Sequence, residues 1–271
     1  MKLKPAPRVL YENNPLVEVV CQIRFERIME LQTAPPARFQ SEYARDRYPS
    51  IREDRAAALQ VVFGPGAEHT VKPPVVQSAA IPVTHHFASD DETRRISVNA
   101  EFFAFTCTRY ERWENFKREL IDGFAAFQRL YPSLVVNRVG LRYKDLIERE
   151  SLGLGAVPWK DLVSPTVAGL FLNDLFEDPT YSPGDVQHSS QALIRLEDCA
   201  LLLQIALLLS SGEKRREAFL IDADFFHERP QFEVSAHGVD ETLELLHQNA
   251  GSLFRHCIKD PLHDALRPRS A

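Results

Sequence analysis

The chain predicts an α+β fold: antiparallel sheet covered by two long amphipathic helices. Three observations carry that prediction. Runs with period-two alternation recur, as in Leu16 to Phe25 and Leu134 to Ile147. Two stretches place apolar residues at intervals of three and four, namely Trp113, Phe116, Leu120, Phe124, Phe127 and Leu130, and later Leu243, Leu246, His247, Ala250, Phe254 and Ile258. Short polar connections, such as Asp90-Asp91-Glu92-Thr93, separate neighbouring strand-like runs, which suits hairpins better than crossover units.

Taken in order, Leu16 to Phe25 turns Val17, Val19, Cys21, Ile23 and Phe25 to one face and Glu18, Gln22 and Arg24 to the other, the pattern of a half-buried strand. Pro35-Pro36 opens a helix where a missing N–H is harmless, and Tyr48-Pro49 closes it. A strand is expected over Ala58 to Phe63. An extended loop follows from Gly64 to Pro82, where glycine and proline recur too densely for regular structure. Val83 to Ser89 and Arg95 to Thr108 read as a hairpin, and the first long helix then ends at Tyr131-Pro132. In the strand over Leu134 to Ile147, Val139, Leu141 and Tyr143 share one face and Arg138, Gly140, Arg142 and Lys144 the other.

Glu148 to Gly155 is the expected boundary between an N-terminal α+β half, 1–147, and a C-terminal meander-plus-helix half, 156–271, unless the two form one continuous domain. Pro158 to Pro183 reads as irregular, with one short helix at Val167 to Phe176. Ser190 to Leu196, Ala200 to Leu209 and Ala218 to Phe226 form an antiparallel meander, with a turn expected at His227-Glu228 before Pro230. The closing helix starts near Asp240 and ends or kinks at Pro261. Strands followed by a long helix occur around 83–130 and again around 190–258, the pattern a diverged duplication would leave.

Composition bounds the function. Of 271 residues, 44% are hydrophobic and 26% charged, enough apolar surface for a real core. A formal net charge of −6 gives no global attraction to phosphate backbones or anionic lipid. The lysines near Met1 are followed by Pro5 and Pro7 instead of an apolar stretch, and the longest apolar run, Cys199 to Leu209, is too short to span a bilayer as a helix. A cytoplasmic protein with no membrane span is the expectation. Cys21, Cys107, Cys199 and Cys257 are scattered and form no C-x-x-C pair, so they read as reduced, structural thiols.

Tyr11-x-Asn13-Asn14-Pro15-Leu16-Val17-Glu18-Val19, Asn137-Arg138-Val139-Gly140-Leu141-Arg142-Tyr143, and Leu246-His247 followed by Phe254 and Ile258-Lys259-Asp260 occur in that order along nearly the whole chain. In these motifs the chain resembles a sporadically distributed family of uncharacterised bacterial proteins. The resemblance implies no assigned enzymatic activity. It implies a role beside a partner protein, of the kind found in bacterial defence or toxin–antitoxin modules.

No P-loop, G-x-G-x-x-G, G-x-S-x-G, H-E-x-x-H or EF-hand pattern occurs, which turns the reading away from an enzyme. Two constellations remain. Asp222, Asp224 and His227, with Glu228 beside them, are the one compact set of ligating types, suited to a divalent metal or acid–base work, or alternatively a solvated strand face and turn. Arg138 and Arg142 flank Gly140 on one strand face, where a phosphate, carboxylate or peptide can dock between two guanidinium groups, or where they pair across strands with acids such as Glu18. His85 and His86 point to opposite faces and cannot share a metal. His247 on the apolar stripe reads as a neutral core histidine. The leading expectation is a non-enzymatic interaction protein with a protein partner and no cofactor. The alternatives are a metal- or phosphate-dependent enzyme acting on nucleotides or nucleic acid, and a nucleic-acid-binding module.

Overall fold

Period-two alternation builds a single antiparallel sheet of nine strands. The computed structural model describes residues 1–54, 83–169, 188–209, 216–233 and 236–270. In chain order these form β1 (Val9–Tyr11), β2 (Leu16–Phe25), α1 (Glu30–Thr33), α2 (Ala37–Phe39, continued by a π turn over Gln40–Ala44), β3 (Ser50–Asp54), β4 (Thr84–Ala88), β5 (Arg94–Val98), β6 (Phe102–Cys107), α3 (Trp113–Leu130), β7 (Val135–Ile147), α4 (Trp159–Leu162), α5 (Pro165–Ala168), β8 (His188–Arg195), β9 (Ala200–Leu209), β10 (Glu217–Glu233), α6 (Ala236–Cys257), α7 (Asp260–Ala265) and β11 (Pro268–Ser270). The expected strand at Ala58 to Phe63, the loop at Gly64 to Pro82 and most of the helix at Val167 to Phe176 lie outside the described residues.

The sheet order is β3-β4-β5-β6-β2-β7-β10-β9-β8, and β1 pairs separately with β11. This order carries an internal relation. In each half one central strand, β2 or β7, is followed by a meander whose last strand, β6 or β10, returns beside it, and then by a long helix, α3 or α6. The two central strands pair antiparallel with each other, so the sheet continues unbroken across the Glu148 to Gly155 stretch.

The aromatic stripe of α3 packs on the N-terminal half of the sheet. Phe124 meets Phe103, Phe116 meets Phe105, and Phe127 meets Phe25, with ring centroids 5.7, 5.1 and 5.6 Å apart. On the C-terminal half, Leu201, Leu203, Ile205 and Leu207 of β9 and Phe219, Ile221 and Phe225 of β10 are buried. Lys117 of α3 donates to Glu244 of α6 at 2.6 Å, joining the helices. A second polar lock holds the segment after β7: Arg149 Nη2 and Trp159 Nε1 donate to the same buried Glu217 oxygen at 2.8 and 3.0 Å. All four cysteines are free and buried, and burial pushes the Cys257 thiol up to about 12.

Four local expectations change. Arg95 to Thr108 is two strands, because the buried Asn99 Oδ1 accepts from Glu101 N at 2.8 Å and Phe102 N at 3.0 Å and so closes a turn. The turn expected at His227-Glu228 is strand: β10 runs on to Glu233, with a register shift between Glu228 and Phe232, where Pro230 lacks the N–H of a regular ladder. α6 begins at Ala236, ahead of Asp240. Pro261 does not end α6 but sits in the first turn of α7, where its missing N–H leaves no bond unmade.

Candidate functional site

The two constellations singled out in the sequence meet on one face of the sheet. β7 and β10 pair with Asp222 opposite Lys144, Asp224 opposite Arg142 and Glu228 opposite Arg138. Even-numbered residues of both strands therefore share a face. Arg142 forks onto Asp222, Nε to Oδ1 at 2.6 Å and Nη2 to Oδ2 at 2.5 Å. Arg138 Nη2 donates to Asp224 Oδ2 at 2.8 Å, and its guanidinium carbon stands 4.4 Å from the Phe226 ring centre. Lys144 donates to Glu18 at 2.6 Å.

Gly140 makes this packing feasible. A Cβ there would fall 2.6 Å from Arg138 Nη1, so the space that the sequence offered to a ligand backbone is filled by the protein's own guanidinium. The hydrogen bond to Asp222 raises the Arg142 pKa further, while burial raises Asp224 against the opposing pull of Arg138. His227 is brought to neither aspartate: opposite Val139 on β10, it falls in the odd-numbered phase and faces the other side of the sheet. The expected set Asp222, Asp224 and His227 is thus divided between two faces. Among the described residues no three His, Cys, Asp or Glu groups converge as a metal site.

The other face of the same strands holds a feature that the sequence reading missed. Along β7 the inward phase runs Val139, Leu141, Tyr143, Asp145, Ile147, and Asp145 is only 5% exposed. A carboxylate in the apolar phase of a strand was the available signal. Its side chain lines a partly open cavity of about 330 Å³ between β7, α6 and the segment Pro5 to Tyr11. Small residues Ala250, Gly251 and Ser252 on the facing turn of α6 leave this space unfilled.

The N-terminal segment is strapped across the cavity by bonds to distant parts of the chain. Ala6 N donates to Ser252 Oγ at 3.2 Å, His256 Nε2 donates to Lys4 O at 2.8 Å, and Tyr11 Oη and His263 Nδ1 lie 2.9 Å apart. Pairing of Val9 with Ser270 and Tyr11 with Pro268 then fixes the strap along β11. Tyr11, Tyr110, Tyr143 and Phe254 supply aromatic wall.

Apart from the solvent-exposed Glu111 and Gln248, the polar groups around the cavity are satisfied with one exception. Tyr143 Oη is 2.8 Å from His247 Nδ1 and also hydrogen bonds with Tyr110. His247 stacks on Trp113 with centroids 4.2 Å apart, and burial, aided by Arg8, draws its pKa down to about 4, so the ring is neutral. Arg8 is engaged by Glu114 at 2.8 Å and Arg255 by Asp260 at 2.9 Å. Asp145, by contrast, has no side-chain hydrogen bond or ion pair among the described residues. Burial, with a smaller contribution from Asp222, pushes its carboxyl up to about 8 and keeps it protonated at neutral pH.

Chemically, the outer face pairs its acids with guanidinium groups, and the inner cavity is a mostly apolar cleft with one buried, unmatched acid. No helix among the described residues is long and apolar enough to cross a membrane. No family model matches this chain, and comparison with curated proteins finds no relative, so geometry carries the functional reading.

Proposed function

We propose that this is a non-enzymatic binding protein whose recognition site is the cavity beneath the N-terminal strap, and that it acts in the cytoplasm beside a protein partner. The observation that carries the reading is Asp145, a buried carboxyl with no side-chain partner among the described residues, in a cavity large enough for a small molecule. Buried polar groups are otherwise almost always satisfied, and an exception facing a cavity is where a ligand group fits. The repeated strand–meander–helix order supports a diverged duplication in which α3 and α6 cover the two halves of the sheet. In that picture the C-terminal half has traded packing for a binding site.

For the partner, β8 is the support. Among the described residues it is an edge strand of the sheet, and Leu193 on it is 57% exposed, so an added strand can pair there. The resemblance in the sequence motifs adds a bacterial defence or toxin–antitoxin setting. Against the metal- or phosphate-dependent enzyme stands the engagement of Asp222 and Asp224 by Arg142 and Arg138. The same pairing weighs against a nucleic-acid module built on those arginines.

Native mass spectrometry on protein purified from its own host tests the reading. A small molecule is expected on the wild type and absent from Gly251→Phe, a bulky substitution in the cavity lining where an added Cβ has no atom within 4 Å. Equal occupancy in both proteins, or a stoichiometric divalent metal lost on Asp222→Ala, would overturn it. Leu193→Lys is expected to release the partner and leave the small molecule bound.

A further inference from the structure

Which ligand chemistry suits the cavity follows from what its walls leave undone. The hydroxyls of Tyr11 and Tyr143 are bound to histidine nitrogens, Ser252 Oγ accepts from the strap, and Asn14 is divided between Leu16 N at 3.1 Å and Tyr110 O at 3.5 Å. The two guanidinium groups at the rim are held by Glu114 and Asp260. Glu111 and Gln248 are exposed to solvent, so what remains in the buried part of the wall is one carboxyl set among aromatic rings and prolines. We propose that the cavity takes a small organic cation, a mostly apolar molecule with a primary or secondary ammonium group placed against Asp145. The inference rests on the reading of the cavity as a binding site.

Three considerations select the cation. An anion would have to draw Arg8 or Arg255 away from Glu114 or Asp260 or stay unbalanced, which is unfavourable in a low-dielectric site. A neutral hydroxyl or carbonyl would receive one hydrogen bond from the protonated acid. An ammonium group instead lets the acid ionise and converts an unmatched carboxyl into a charge-assisted hydrogen-bonded pair. The aromatic faces of Tyr11, Tyr110, Tyr143 and Phe254 favour the same charge type, because the ring quadrupole is negative above and below the plane. Size sets the rest: about 330 Å³ is roughly twice the ~150 Å³ that holds one benzene, so a ring with a short amine-bearing tail fits.

On binding, no covalent bond changes. If the amine enters as the free base, its lone pair takes the Asp145 proton and the two groups remain together as an ammonium–carboxylate pair. If it enters already protonated, the Asp145 proton is released to solvent.

The test uses three probes of one shape, namely phenethylamine, 2-phenylethanol and phenylacetate, titrated by calorimetry into the full-length wild type, Asp145→Asn and Gly251→Phe. Phenethylamine is expected to bind the wild type at least tenfold more tightly than either other probe. In Asp145→Asn that preference is lost, and in Gly251→Phe all binding weakens. Binding of the alcohol or the acid as tight as the amine in the wild type overturns the cation assignment and leaves the cavity reading standing. So does an amine preference that survives in Asp145→Asn. Failure of all three probes to bind the wild type overturns both. The wild-type comparison stands even if a variant does not fold.

Discussion

β7 and β10 carry buried acids on both of their faces, and Asp145 on the inner face is treated oppositely to Asp222 and Asp224 on the outer one, while Glu217 at the end of the inner face is held by Arg149. On the outer face Asp222 and Asp224 stand directly opposite Lys144 and Arg142 of β7, and each meets a guanidinium from further along that strand, Arg142 and Arg138 respectively. On the inner face Asp145 sits between Tyr143 and Ile147, opposite Ile221 of β10, with no cation in its own phase. The lesson concerns strand phase: the same residue type becomes structural when alternation aligns it with arginine and available for a ligand when alternation aligns it with hydrocarbon. Paired acids on an outer sheet face stabilise a register. An unpaired one in the core destabilises the fold and persists where something else, such as a ligand, compensates.

The sharpest way to break this contrast is Asp145→Asn. The folded carboxyl titrates at about 8 against an ordinary value of 3.8. Below about pH 4 both folded and unfolded chains hold the proton; between pH 4 and 8 only the folded chain does, so stability falls as pH rises through that window and is flat above it. Removing the acid is expected to leave stability unchanged near pH 4 and to raise it by up to about 6 kcal/mol at pH 8.5, read from urea unfolding. His247 contributes in the opposite sense, because its lowered pKa makes stability fall as pH drops from 6.5 to about 4. Of these two groups only Asp145 acts between pH 6.5 and 8, so the wild type is expected to lose stability there and Asp145→Asn is not. A flat wild-type curve over that interval would mean that the acid has a partner.

On the outer face the expected sign is reversed. Arg142→Ala strips the fork from Asp222, whose side chain is 5% exposed, and is expected to lower unfolding free energy by about 3 kcal/mol. A loss under ~1 kcal/mol would show that Lys144, opposite Asp222, replaces the arginine. Gly140→Ala should lower stability by about 1–2 kcal/mol by pushing Arg138 off its seat, and the loss should shrink in an Arg138→Ala background. Additive losses in that double-mutant cycle would place the strain elsewhere. The smallest change belongs to Glu18→Gln, whose pair with Lys144 is partly exposed at 25% and 29%; a loss of at most about 0.5 kcal/mol is expected by thermal unfolding.

Periodicity made much of this legible beforehand. β2, β7 and α3 follow their apolar phases closely, since alternation and three-four spacing are local properties that a buried face demands wherever the element sits. The faces of Arg138, Arg142, Asp222 and Asp224 were legible too. Their partnership was not, because β7 and β10 lie some seventy residues apart in sequence and only their register decides that Arg142 meets Asp222. His227 illustrates the same point: the expectation of a turn at His227-Glu228 left its direction open, and the continued strand turned it away from the aspartates.

By itself, then, the sequence determined the α+β class, the period of each long element and the phase that includes Asp145 among apolar neighbours, because side-chain direction follows from backbone geometry alone. Tertiary structure decided which charges neutralise one another and where a cavity remains. Those outcomes depend on long-range pairing: β7 against β10, and the strap of Pro5 to Tyr11 against the small residues of α6. Contacts between segments distant in sequence carry no local signature, so the acid was visible in the sequence and its solitude was not.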